Sequence, residues 1–275
     1  MVRASSGTIG SDSTMIAGSI GPSKLGSGVA SGQRSRTRLM LRRAALLTAA
    51  GLALPTPAIA QMTGDDEIAH PFFTHEGLPD SVGVYSTRLS GLKTRADGKN
   101  SGDFGFHLET GLTDRIGLHF RSDQFLMNRR SEAMLQYAVW RSADGESGFA
   151  PIVELEFPTR TGGGKARVLV GFTTKLARRG FAVNQVMHYN LSEKSFETSV
   201  SLVVRASNRI YPVIEMLGEG GAGRPTVVNA LAGLKFRVRG STLVGLAYKR
   251  PITSAREISS QFVLQLEFMA GKRAQ

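Results

Sequence analysis

From Ser81 onward apolar side chains recur at every second position, and no helical period of useful length interrupts them. Phe104, Phe106 and Leu108 alternate with Gly105, His107 and Glu109, and Ile116, Leu118 and Phe120 with Gly117, His119 and Arg121. Phe149 to Phe157 alternates against Glu154 and Glu156, and Val168, Val170 and Phe172 face away from Arg167, Thr173 and Lys175. Ile210, Ile214 and Met216 oppose Tyr211 and Glu215; Phe262, Leu264, Leu266 and Phe268 oppose Gln261, Gln265 and Glu267. With a first strand over Ser81–Lys93, the pattern predicts about twelve amphipathic strands. They run about ten residues or more, whereas globular strands average ~5–6 and a tilted transmembrane strand needs ~9–11.

The connections carry a second signal. Gly111–Arg115, Arg178–Gly180, Ser207-Asn208 and Arg239-Gly240 read as tight turns. Asp97–Ser101, Asp123–Ser131, Pro158–Lys165, Gly218–Pro225 and Pro251–Ser259 read as longer loops. Short and long alternate, as in a barrel with short turns at one end and long loops at the other; Ser142–Gly148 and Leu191–Ser195 break the rhythm. The expected fold is all-β, an antiparallel up-and-down transmembrane β-barrel of about 12 strands, with its apolar face toward lipid and its polar face lining a lumen. Periodicity alone does not separate this from a soluble barrel with the faces reversed.

Composition narrows the choice. The chain has 275 residues and no cysteine, so disulfides and thiolate chemistry are excluded. The net charge of +12 suggests a nucleic-acid binder until its distribution is considered. Half lies in residues 1–60, and in the rest no basic run exceeds two residues, whereas a phosphate-tracking surface needs a concentrated patch; no nucleic-acid partner is expected. Residues 1–39 read as a disordered or non-native N-terminal extension, with Met40 a plausible start. Residues 40–60 read as a secretory signal peptide: Arg42 and Arg43 close a basic region, Ala44–Leu54 is apolar, and Ala58-Ile59-Ala60 is an A-x-A cleavage site. The remainder divides into an N-terminal periplasmic strap at 61–80, an outer-membrane barrel at 81–268 and a C-terminal tail at 269–275.

The body resembles the outer-membrane proteins grouped as the "MetA-pathway of phenol degradation" transporter-like family. The likeness rests on His70-Pro71-Phe72-Phe73-Thr74-His75-Glu76-Gly77-Leu78-Pro79, on Gly111-Leu112-Thr113-Asp114-Arg115-Ile116-Gly117-Leu118-His119, and on Pro212-x-x-Glu215, within residues 68–268. It implies a barrel with a transport role toward small organic or aromatic compounds and supplies no catalytic residue. The last strand, Phe262 to Phe268, is similar to the terminal strand that barrel-assembly machinery reads, although seven residues follow it.

Several residue groups could carry chemistry. His107, Glu109, His119 and Arg121 share the polar face of one hairpin, and Glu154 and Glu156 sit near Arg167 and Lys175. These eight are the expected lumen and selectivity residues, since rings of charge set ion preference in pores; neutralising networks are the simpler reading of each group. His70 and His75, beside Glu76, could hold a divalent metal, but a strap or lumen plug whose rings merely pack is simpler, and neither a metal nor a cofactor is expected. His188, Asn184, Asn190, Ser199 and Ser201 could furnish a membrane-embedded hydrolase, but the serines and histidine would face the lumen rather than lipid. Gly218–Gly223 matches G-x-G-x-x-G without the helix a dinucleotide site needs, and Gly162-Gly163-Gly164-Lys165 lacks the Ser or Thr of a phosphate loop.

The expected function is a passive channel or transporter for small solutes in the bacterial outer membrane, not an enzyme. Its partners would be membrane lipid, the assembly machinery and the solutes; the oligomeric state stays open. The alternatives are a closed structural barrel, a soluble ligand-binding barrel and the hydrolase.

Overall fold

A computed structural model describes residues 68–123, 125, 130–159 and 164–271. The expected extension at 1–39, the signal peptide at 40–60, residues 61–67 of the strap and residues 272–275 of the tail lie outside the described residues.

The chain forms β1 (Tyr85–Ala96), β2 (Lys99–Gly111), β3 (Ile116–Ser122), β4 (Arg130–Tyr137), β5 (Trp140–Arg141), β6 (Gly148–Pro158) and β7 (Arg167–Arg178). It continues through β8 (Phe181–Asn190), β9 (Ser195–Val204), β10 (Ile210–Gly221), β11 (Arg224–Arg239), β12 (Thr242–Pro251) and β13 (Ser260–Ala270). Sequence neighbours pair antiparallel, and β1 pairs with β13 from Tyr85↔Ala270 to Arg95↔Ser260, which closes the sheet on itself. Both β4 and β5 pair with β6, in succession along one stave, so the barrel has twelve staves. That stave breaks at Ala138-Val139 because Val139 and Trp140 both face outward, a one-residue slip of the alternation.

Burial along the strands inverts the usual order. On β6, Phe149, Val153 and Leu155 are exposed while Ala150, Ile152, Glu154 and Glu156 are buried. On β10, Ile214 and Met216 are exposed beside fully buried Glu215, and on β13 Phe262 and Leu264 are exposed beside buried Gln261 and Gln265. An outward apolar wall around a polar interior is stable only where lipid bathes the wall, so the soluble barrel with reversed faces is excluded. Closure then leaves no strand edge in hydrocarbon.

Two expected long loops are hairpin turns instead. Asp97 and Gly98 both adopt positive φ, 48° and 73°, and join β1 to β2 directly. The glycine-rich Gly218–Pro225 stretch is mostly strand: β10 runs to Gly221, β11 starts at Arg224, and Gly223 (φ 75°) turns between them. Glycine there thinned the apolar alternation without ending the ladder. The longest connections, 123–129, 159–166 and 252–259, share one end of the barrel; Arg179-Gly180 and Gly240-Ser241 close hairpins at the other.

The first stave starts at Tyr85, later than the predicted Ser81, and Val82 makes only an isolated bridge to Gly111. Upstream, residues 69–79 are all buried, with no alternation. Such a run has protein on every side, so this segment lies within the barrel. A buried charge on the lipid face provides a check on the inside–outside assignment. Leu246→Arg, at an exposed mid-strand position, should cost about 2–4 kcal/mol of barrel stability in lipid vesicles, read as a lowered urea midpoint. An unchanged midpoint would place that face in water.

Candidate functional site: a strap inside the barrel

A peptide segment inside a barrel needs partners for its backbone donors and acceptors. The wall supplies them. Glu215 of β10 accepts the amide of Phe72, that of Phe73 at 3.1 Å, that of Thr74 at 2.9 Å and the Thr74 hydroxyl at 3.0 Å. Three successive N–H groups on one carboxylate form an anion-binding nest, here with a side chain as the anion. The carbonyls find donors elsewhere: Arg88 Nη1 reaches Pro71 O at 2.8 Å, Gln265 reaches Phe72 O at 3.1 Å, and Arg121 Nη1 reaches Phe73 O at 3.1 Å. Further along, Thr173 donates to Gly77 O at 2.9 Å while Asn184 accepts the Gly77 amide at 3.1 Å, and Arg141 donates to Pro79 O at 2.7 Å. These partners come from β1, β3, β5, β7, β8, β10 and β13, so the strap crosses the lumen and touches its circumference on all sides.

Wall glycines provide room. The Phe72 ring fills the space over Gly233 and Gly245, where a Cβ would come within 2.6 and 2.8 Å of ring carbons. Lys235 Nζ lies 4.8 Å from the same ring's centroid. Gly77 is itself required, since a Cβ there would come within 2.2 Å of the Thr174 carbonyl oxygen on β7.

Charge pairing completes the dock. His70 Nδ1 bonds Glu267 Oε1 at 2.8 Å, and Lys235 Nζ bonds the other oxygen at 2.6 Å. Burial lowers the basicity of His70, but Glu267 more than offsets it and lifts its pKa to about 10, so His70 is an imidazolium at neutral pH. Glu76 pairs with Lys175 of β7. Asp80 is pushed up to about 6, by burial first.

The sequence-predicted residues divide into two sets. His107, Glu109 and His119 lie deep beside the strap: Glu109 Oε1 is 3.0 Å from His107 Nε2 and 3.2 Å from His119 Nδ1, and it also pairs with Arg88. Glu154 is buried in the same region, 3.5 Å from His188 Nδ1. Arg121, Glu156 and Arg167 lie nearer the long-loop end. Arg121 bonds Glu132 at 2.6 Å, and Glu156 bridges Arg130 at 3.3 Å and Arg167 at 3.5 Å. Lys175 belongs to the strap dock. Glu154 and Glu156, two apart in sequence, pair with different partners but keep carboxylate oxygens within 4.8 Å of each other and of Glu132.

His70 and His75 do not share a site. His75 sits among rings of the wall, with centroids 5.0 Å from His107, 5.5 Å from His119 and 5.9 Å from His188. Burial, then Arg121 and the neighbouring histidines, hold its pKa well below the ordinary value, so its imidazole is neutral. Both its nitrogens are buried without a hydrogen-bond partner, a costly condition of about 1–3 kcal/mol for each unmade bond.

Beyond the strap, toward the long-loop end, lies a cavity of about 910 Å³. Its lining includes Phe73 and His75 of the strap, the acids Asp123, Glu132, Glu156, Glu193, Glu197, Glu219 and Glu257, and the cations Arg121, Arg130, Arg167, Arg224, Lys249 and Arg256. Apolar contacts come from Val186, Phe196, Leu217 and Val227. The hydrolase candidates do not assemble into a triad: His188 turns to Glu154, while Asn184 holds the strap and donates to Ser201 at 3.4 Å.

Alternation along β1, β10, β11 and β13 placed Arg88, Glu215, Lys235 and Glu267 inward. That they receive the strap depends on contacts more than a hundred residues apart for three of them, which periodicity does not encode.

No family model and no curated protein matches the chain. Solved structures do. The KdgM porin in complex with disordered oligogalacturonate is 8% identical, with 68% of this chain and 99% of that chain aligned at a TM-score of 0.51. An outer membrane channel from Pseudomonas putida F1 is 12% identical, with 74% of this chain and 99% of that chain aligned at a TM-score of 0.50. At such identities the likeness is one of fold: a closed antiparallel barrel built like those of outer-membrane channels.

The strap's dependence on Glu215 is testable. Glu215→Ala strands three buried amides at about 1–3 kcal/mol each, and should release residues 69–79 to protease while the barrel keeps its heat-dependent gel mobility. Equal protection in variant and wild type would mean that the dock does not need this carboxylate. Gly245→Val should have the same effect from the other side of the strap, by evicting the Phe72 ring at about 1–3 kcal/mol.

Proposed function

We propose that the protein is a passive, non-enzymatic channel of the bacterial outer membrane that admits small solutes through the charged cavity and past the strap. One observation carries this reading: an apolar-walled barrel contains a cavity of about 910 Å³ lined by interleaved acids and cations. A barrel serving only as a membrane anchor has no need of such a chamber. Long loops surround the cavity end and short turns the strap end, so we assign the cavity to the cell exterior and the strap to the periplasmic side. An exported precursor with a signal peptide cleaved near Ala60, inserted by the barrel-assembly machinery, fits that orientation.

Cavity size and lining favour small organic solutes bearing charged or hydrogen-bonding groups. Phe73, Phe196 and Leu217 among the charges would accept an aromatic body on such a solute, which agrees with the resemblance to transporters of the phenol-degradation group. Selectivity falls to Arg121, Glu156 and Arg167, which line the cavity, with Glu132 and Glu197 added to the expected set. His107, Glu109, His119, Glu154 and Lys175 are assigned to the strap and its surroundings instead.

Planar-bilayer conductance tests the reading. The folded wild type should give small discrete steps, and deletion of residues 69–79 should give several-fold larger ones. Silence from both would establish a closed structural barrel. Glu132 and Glu156 face each other across β4 and β6. Changing both to Lys should move the reversal potential toward anion preference in a salt gradient; an unchanged potential would remove the cavity charges from the permeation path.

A further inference from the structure

All five histidines of the chain lie inside the barrel, and four of them, His75, His107, His119 and His188, surround one point where the strap meets the wall. We propose that His75 of the strap, His107 of β2, His119 of β3 and Glu109 of β2 form a binding site for a divalent first-row transition metal, with zinc as the best-matched ion, that fastens the strap to the β2–β3 hairpin.

The ligand atoms of these four residues lie within 4.8 Å of one another, and all four side chains are buried. Three imidazoles and a carboxylate match the donor preferences of zinc, copper and nickel. A tetrahedral ion at about 2.0–2.1 Å from each donor needs donors about 3.3–3.5 Å apart. The four ligand atoms, within 4.8 Å of one another, reach this spacing by side-chain shifts of about an ångström.

Three independent features point to a cation there. His75 has both ring nitrogens buried without a partner, so its lone pair is free for a metal. The His119 ring is oriented from behind. Gln136 Nε2 donates to Thr173 Oγ1 at 2.6 Å and to the Glu76 carbonyl at 3.2 Å. Its Oε1 must therefore accept the His119 Nε2–H at 3.1 Å. His119 Nδ1 then points toward Glu109 Oε1 from 3.2 Å without making a hydrogen bond, on the side where an ion would sit. Gln136 is thereby an orienting outer-shell partner of the kind metal-bound histidines use. Finally, Glu109 holds Arg88 on Oε1, while its Oε2 is buried without a hydrogen bond and is available as a ligand. His188 belongs to a separate grouping with Glu154 and His75, and it supplies the internal control.

The test is metal binding by the full folded barrel, which is independent of whether it conducts. Protein with heat-dependent gel mobility is stripped by chelator and dialysed against Zn²⁺. We expect one zinc per barrel and an upward shift of the thermal unfolding midpoint that chelator reverses. Co²⁺ in its place should give the intense visible bands of a tetrahedral site. His119→Ala and His75→Ala should abolish stoichiometric binding, Gln136→Leu should weaken it about 10–100-fold, and His188→Ala should leave it unchanged. Absence of stoichiometric zinc in the folded wild type overturns the proposal. So does wild-type affinity in His75→Ala or His119→Ala, or loss of binding in His188→Ala, which would move the ion to the Glu154 grouping. If the alanine variants fail to fold, the wild-type stoichiometry and the Gln136→Leu affinity decide alone.

Discussion

The Glu215 carboxylate organises the interior. It is fully buried in β10, and a buried carboxylate is tolerable only when its charge is answered. The answer is the strap's backbone: Phe72, Phe73 and Thr74 aim consecutive amides at it. The relation is reciprocal. Without Glu215 the strap would hold three unsatisfied donors; without the strap Glu215 would depend on water and on the charge of nearby cations. Pro71 and Pro79 stiffen the segment on either side of this grip, so the entropy of ordering it is partly removed in advance.

From this follows the division of the lumen. Membrane insertion forces polar side chains inward, and a twelve-stave barrel encloses more polar groups than short-range ion pairs across neighbouring strands can satisfy. At the short-turn end the excess is absorbed by the strap, whose carbonyls accept from Arg88, Gln136, Thr173, Lys235 and Gln265 and whose amides donate to Glu215 and Asn184. At the long-loop end no strap intervenes among the described residues, and the same chemistry lines a chamber. One inward-facing pattern thus yields a plugged half and a cavity half, according to where residues 69–79 lie.

The barrel was legible in the sequence because alternation is local: each strand declares its two faces without reference to any other. Closure was legible only through strand length and loop asymmetry, which lipid thickness imposes. The reading departs from the structure where glycine thinned the alternation, as in Gly218–Gly221. The site was partly legible. Inward placement of His107, Glu109, His119 and Arg121 follows from the Gly111–Arg115 turn, which sets Glu109 opposite His119 and His107 opposite Arg121. The strap was visible as an unusual His-, Phe- and Pro-rich run for which a lumen plug was one reading, but its own residues do not say where in the barrel it docks. That information resides in its recipients, Glu215, Gly233, Gly245 and Gln265, spread over later strands.

The strap's attachments differ in chemical kind from one side to another, and this has a functional consequence. On β10 and β13 it is held by Glu215 and by the His70–Glu267–Lys235 cluster, in which every partner is answered. On the β2–β3 side it presents His75, whose nitrogens are unanswered among the described residues, beside His119, whose Nδ1 faces Glu109 without a hydrogen bond. A dock complete on one side and incomplete on the other is the arrangement expected of an element that can be fastened and released at one edge. The complete side keeps the strap within the barrel, and the incomplete side, which lies against the cavity through His75, is where an external cation could set how firmly the lumen is closed.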